Sequence, residues 1–200
     1  VESLSANGTL TARGLTVRQE RFETASLRHE VRLGADLSAR LDLRVESGTL
    51  GAGRASSWVR RDSTAFRVRD LLVDLLGIEA NGDVRWPERG VPTGNVSFDI
   101  RSLEPVGRLL GRPLAGGGKG SVRLESGGGG QALVSARLAG LDLGDVTVKS
   151  VDVDGVVTAW RREPVFDATA RLEGLTAGAR AADETVIRLE GPATALRVEA

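Results

Sequence analysis

An all-β chain is predicted by three features of the sequence. Apolar and polar side chains alternate strictly in several runs, helical spacing is nearly absent, and Gly, Asn, Asp and Ser turn signals recur roughly every 8–12 residues. Strict alternation is the mark of a strand with one apolar and one polar face. About sixteen candidate strands are expected on this rhythm, joined into a long, curved, amphipathic sheet.

Taken in order, Leu10, Ala12, Leu15 and Val17 form two apolar pairs with Gly14 between them. In residues 25–33, Ala25, Leu27, His29, Val31 and Leu33 share a parity, which places His29 among aliphatic neighbours. The clearest run is 37–46. Leu37, Ala39, Leu41, Leu43 and Val45 point one way, and Ser38, Arg40, Asp42, Arg44 and Glu46 the other. Bends are expected at Asn7-Gly8, Ser47-Gly48, Asn81-Gly82, Thr93-Gly94 and Asp154-Gly155. Asn81-Gly82 fits a two-residue hairpin turn, because both residue types tolerate positive φ.

One short helix is expected near 103–110, with Ser102 as its cap, Pro105 in its first turn and Gly111 as its stop. The glycine stretches 116–120 and 127–130 read as flexible bends. Alternation resumes with Val122 and Leu124, and again with Ala132, Val134, Ala136 and Leu138. Leu141 and Leu143, Val146 and Val148, then Val151 and Val153 are apolar pairs recurring every five residues. Parity flips from pair to pair, so an extra residue is required at Gly144-Asp145 and at Lys149-Ser150 to keep one face apolar. Ala170, Leu172, Leu175 and Ala177 repeat the motif around Gly174.

Composition narrows function by exclusion. The 27 basic and 27 acidic residues cancel, which removes the electrostatic case for nucleic-acid binding. There is no Cys or Tyr and one His, so disulfides, thiol nucleophiles and multi-histidine metal sites are not available within the chain. No apolar run approaches the ~20 residues of a membrane-spanning helix. With no Met and a start at Val1, the chain is expected to be a piece of a longer protein.

Local motifs have plain explanations. Gly118-Lys119-Gly120 lacks the spacing and the Ser/Thr of a phosphate loop. Asp152-Val-Asp154-Gly155 would need Arg161 as a calcium ligand. Asp70 and Asp74 suit a solvated face. Asn7-Gly-Thr9 and Asn95-Val-Ser97 match the glycosylation pattern and carry little weight. Trp58, Trp86 and Trp160 fall near strand ends, where they either plug the ends or sit at the mouth of an apolar channel. No catalytic residue, metal ligand or cofactor site is expected, and the chain is not read as an enzyme.

Residues 97–125, Ser97-Phe-Asp-Ile-Arg-Ser-Leu-Glu-Pro-Val-Gly-Arg-Leu-Leu-Gly-Arg-Pro-Leu-Ala-Gly-Gly-Gly-Lys-Gly-Ser-Val-Arg-Leu-Glu125, combine a strand, a short helix ending Leu-Leu-Gly, a Pro-Leu-Ala-Gly turn and a strand Gly-Ser-Val-x-Leu. With the paired strands of 136–155, this stretch resembles a recurring element of the TamB family. These are inner-membrane-anchored subunits of the translocation and assembly module, related to AsmA-like bridge-like lipid transfer proteins. The resemblance implies a U-shaped sheet, a β-taco, whose hydrophobic groove carries phospholipid acyl chains through the periplasm of a Gram-negative bacterium. It also implies a TamA-like insertase barrel of the outer membrane as partner, through parts of the parent outside this chain.

On this reading residues 1–200 are one continuous segment of a repetitive groove. Leu37, Ala39, Leu41, Leu43, Val45, Val134, Ala136, Leu138, Leu141, Leu143, Val146, Val148, Val151 and Val153 are its expected lining. The alternatives are a closed β-solenoid or sandwich, acting as scaffold or adhesin without lipid cargo, and an enzyme on a β-helix.

Overall fold

A computed structural model describes residues 3–17, 20–159 and 163–199, without the side chain of residue 128. The chain is an antiparallel meander in which each strand pairs with its predecessor. The strands are β1 (Leu4–Val17), β2 (Glu20–Leu33), β3 (Leu37–Ser47), β4 (Gly51–Arg61), β5 (Ala65–Leu75), β6 (Ile78–Pro87) and β7 (Thr93–Ile100), followed by the helix α1 (Glu104–Leu110). Then come β8 (Ala115–Glu125), β9 (Gln131–Asp142), β10 (Val146–Thr158), β11 (Val165–Ala177), β12 (Arg180–Pro192) and β13 (Arg197–Glu199). They form one 13-stranded sheet that does not close into a barrel.

The all-β, single-helix architecture is the one the alternation predicts. The strand number is not: thirteen strands are described against about sixteen expected. Most strands run 10–14 residues, straight through positions that read as bends. Asn81-Gly82 is not a hairpin turn but lies inside β6. A Cβ at Gly82 would stand 2.3 Å from the Asn95 carbonyl oxygen, so glycine is there because β7 approaches closely, not because the chain reverses. Asn7-Gly8, Thr93-Gly94 and Asp154-Gly155 are likewise within strands. Gly116–Gly120 belong to β8 rather than to a flexible bend. Ser47-Gly48 does turn, with the Ser47 hydroxyl accepting the Leu50 N–H at 3.2 Å.

The helix begins one residue later than expected. Ser102 Oγ accepts the Glu104 N–H at 3.2 Å, while Leu103 occupies the cap position. Gly111 ends it in the left-handed conformation, φ 68°, and the Arg112 N–H returns to the Gly107 carbonyl at 3.0 Å.

A crease crosses the C-terminal half of the sheet. Strands β9 to β12 keep their register across the row Gly140, Lys149, Gly174 and Asp183, yet no ladder pair forms in it. Gly140 and Gly174 are left-handed there, at φ 59° and 61°, a conformation that costs glycine little. The row uses one residue per strand and so reverses parity in all of them at once. Val148 and Val151 are therefore both buried, despite their odd spacing, while Lys149 between them is exposed. Gly144-Asp145, by contrast, is not a bulge within a strand. It turns the chain from β9 into β10, closed by the Leu143 N–H on the Val146 carbonyl at 2.9 Å. A second crease passes through Gly14, φ 64°, opposite Glu23, where β2 and β3 shift register.

The sheet has almost no enclosed core. Among the described residues Ala65, Val148 and Val151 are the buried aliphatics. The chain exposes 13033 Å², whereas a compact monomer of 21.1 kDa would expose about 9,000 Å². The excess, roughly 4,000 Å², is what a single uncovered layer leaves open. A solenoid or sandwich closed on itself would bury the side chains of one face; here Leu43, Ala136 and Val153, far from either sheet edge, are only half-buried.

Several glycines of β6–β10 stand where the neighbouring strand leaves no room for a side chain. A Cβ at Gly155 would meet the Ala168 Cβ at 2.6 Å, and one at Gly120 would meet the Ser135 carbonyl oxygen at 2.5 Å. Both glycines have apolar parity, so they belong to the aliphatic face. Gly94 and Gly118 adopt φ 152° and 156° with main-chain oxygens 2.1 and 2.2 Å from an added Cβ. Gly94→Ala and Gly118→Ala are each expected to destabilise the protein by more than about 2 kcal/mol in chemical denaturation. Gly127→Ala, with open space around it, is expected to change stability by less than about 0.5 kcal/mol.

Candidate functional site: an open aliphatic face

Register turns alternating strands into rows. Leu10, Leu27, Leu43, Ala55, Val73, Ala80, Phe98, Gly120, Ala136, Val153, Ala170 and Ile187 are successive cross-strand partners from β1 to β12. At ~4.8 Å per strand, this uncharged row is about 53 Å long. Phe98 is its one aromatic member, and its ring overlies Gly120, supplying the surface that the glycine lacks.

The expected lining residues take definite places around that row. Leu43, Ala136 and Val153 belong to it. Leu41 and Val134 stand in the next row on one side, and Ala39 in the row beyond, between Val31 and Val59. On the other side Val45 pairs with Ala25, and Leu138 with Val151. Past the crease Leu141 pairs with Val148, and Val146 with Ala177. Leu37 lies at the strand-end rim, between Leu33 and Arg61. Leu143 is in the β9–β10 turn and is 51% exposed, so it edges the face rather than flooring it.

The opposite face is hydrophilic. One of its rows runs Thr9, Arg28, Asp42, Ser56, Leu72, Asn81, Ser97, Ser121, Ser135, Asp154, Thr169 and Arg188. Ion pairs tie neighbouring strands on this side. Arg137 meets Asp152 at 2.5 Å, Arg54 meets Asp74 at 3.9 Å, and Arg101 holds both Asp74 and Glu79. A concavity of about 590 Å³ lies on this side among Arg28, Glu30, Arg40 and Asp42. It is a gap between long side chains, with a polar lining that would not hold an aliphatic ligand.

The singled-out residues separate by face. His29 lies in an aliphatic row, its imidazole packed over Gly8. Trp58 is not at the mouth of an apolar channel: it pairs with Arg40 on the polar face, and the Arg69 guanidinium lies 6.0 Å from its ring. Trp86 does flank the apolar face, paired with Phe66 and 45% exposed. Trp160 lies outside the described residues. Asp70 occupies a β-bulge at φ 51°, its N–H donated to the Asp83 carboxylate at 3.0 Å in place of a ladder bond. Sequence reasoning passed over Arg61. It ends β4 with apolar parity, between Leu37 and Phe66. Its signal is faint, because alternation in residues 51–61 is diluted by Gly51, Gly53, Ser56 and Ser57.

The rim next to Arg61 is built by Asp62. Its carboxylate accepts the Thr64 hydroxyl at 2.6 Å, the Thr64 N–H at 2.8 Å, the Ala65 N–H at 2.9 Å and the Arg67 guanidinium at 2.9 Å. The Thr64 hydroxyl, then the two N–H groups and Arg67, hold the Asp62 carboxyl down at about 2 against the opposing effect of desolvation.

No protein-family model, curated protein or solved structure matches the chain. Among the described residues no helix is long and apolar enough to cross a membrane.

A carboxyl lowered on folding stabilises the fold above its unfolded value, and the contribution fades as pH falls through the folded value. Asp62 is therefore expected to titrate near 2 by carboxyl-detected NMR. Between about pH 4 and pH 2 the wild type should lose a stability increment that Asp62→Asn lacks at every pH.

Proposed function

We propose that this chain is a segment of a periplasmic hydrophobic groove that conducts phospholipids between inner and outer membranes, and so supports outer-membrane protein assembly. The observation that carries the proposal is the uncharged row crossing twelve strands of a sheet that has no second layer over it. An apolar area this large left open on a protein marks a binding surface. The rows offer aliphatic contact with few hydrogen-bonding side chains, so an acyl chain is held by area, at ~0.8 kcal/mol per buried methylene. Successive positions along the row are nearly alike. A lipid can then move by one strand at a time, losing contacts behind it as it gains them ahead. The charged face keeps the outside of the groove in water.

The resemblance to the TamB family supports the same reading and extends it to an inner-membrane-anchored parent and a TamA-like barrel. In this reading the segment does no catalysis, needs no cofactor and binds no nucleic acid.

Photo-crosslinkers at Leu43, Ala136 and Val153 are expected to capture phospholipid in living cells. Probes at Arg44, Arg137 and Asp152, on the other face, should not. Absence of lipid adducts at all six positions, in protein shown to be folded, would overturn the proposal.

A further inference from the structure

The rim row of the aliphatic face carries a cation that the groove alone does not call for. Leu33, Leu37, Arg61, Phe66 and Trp86 are successive partners across β2 to β6. Two residues further along the strands, about 7 Å away, lies the wholly apolar row Val31, Ala39, Val59, Val68 and Val84. Three guanidinium groups surround the β4–β5 turn. Arg60 is held by Asp36 at 2.5 Å and Arg67 by Asp62 at 2.9 Å. Arg61 has no acidic partner among the described residues and is exposed. Asp62, the nearest acid in sequence, is already saturated by Thr64, Ala65 and Arg67.

We propose that Arg61, with Phe66 and Trp86 beside it, is a station for the phosphate diester of a phospholipid at the rim of the groove. This rests on the groove reading and names the part of the lipid that reading leaves unassigned. A guanidinium offers paired donors that match two phosphate oxygens, and it dehydrates more readily than an ammonium. Phe66 is exposed and Trp86 half-exposed. An indole places its ring against acyl chain and its N–H toward the polar boundary, the arrangement favoured where lipid meets water. A diester bound at Arg61 would have its chains run from the rim over Val59, Val68 and Val84 into the central rows. The other two cations of the turn, Arg60 and Arg67, are already neutralised by Asp36 and Asp62, which leaves Arg61 as the cation of the turn open to a headgroup.

The test is uptake by the full protein from vesicles of phosphatidylglycerol and, separately, of phosphatidylcholine doped with diacylglycerol of the same chains. Arg61→Gln is expected to lower phosphatidylglycerol uptake about tenfold and to leave diacylglycerol uptake within twofold of wild type. Arg61→Lys should recover part of the loss, and Trp86→Leu should show the same selectivity more weakly. Equal phosphatidylglycerol uptake by wild type and Arg61→Gln would overturn the station while leaving the groove intact. Uptake of neither lipid by the wild type would overturn the groove and the station together. Loss of both lipids in Arg61→Gln would also overturn the headgroup assignment.

Discussion

The antiparallel register is the constraint on which everything else here depends. With three buried aliphatics among the described residues, stability cannot come from a packed interior. It comes from backbone ladders and cross-strand side-chain pairs, each worth about 1 kcal/mol or less. Such a sheet is also unforgiving, because a slip of one residue would move a strand's whole aliphatic set to the charged face. The creases are how the chain turns its long strands without that slip. At Gly140, Lys149 and Gly174 every strand uses its extra residue in the same row, so neighbours stay in phase. Where only one strand takes an extra residue, as at Asp70, a side chain from the next strand makes good the lost bond.

Much of this was legible in the sequence, for a physical reason. Alternation such as that of Leu37 to Val45 records a difference between two environments, and a single-layer sheet with one wet face keeps that difference along its length. The parity reversal at Lys149-Ser150 could be read for the same reason. Glycines were misread because their letter has two meanings. At Gly111 the residue supplies a left-handed cap. At Gly82 and Gly118 it supplies the absence of a side chain where a neighbouring strand closes in. Nothing local distinguishes the two, since the crowding atoms belong to residues more than a dozen positions away.

The site was legible in outline and not in its detail. Parity identifies which residues share a face within a strand, but rows such as Leu33, Leu37, Arg61, Phe66 and Trp86 exist only once five strands are in register. Trp58 and Trp86 look alike in the sequence and differ by one step of parity, which puts the first under an arginine and the second beside the aliphatic face. Arg61 gains its meaning from Asp36 and Asp62, which hold its neighbours and leave it out.

The meander has a consequence for how such a protein can change length. Each strand bonds only to the one before and the one after it, so adding or removing a pair of adjacent strands preserves the direction and phase of all the others. Duplicating a hairpin such as β9–β10 would lengthen the face by about 10 Å without disturbing a distant side chain. A fold built this way can be fitted to a span by copying, as a tape is cut to measure. A closed barrel cannot, because its circumference, tilt and stagger must change together.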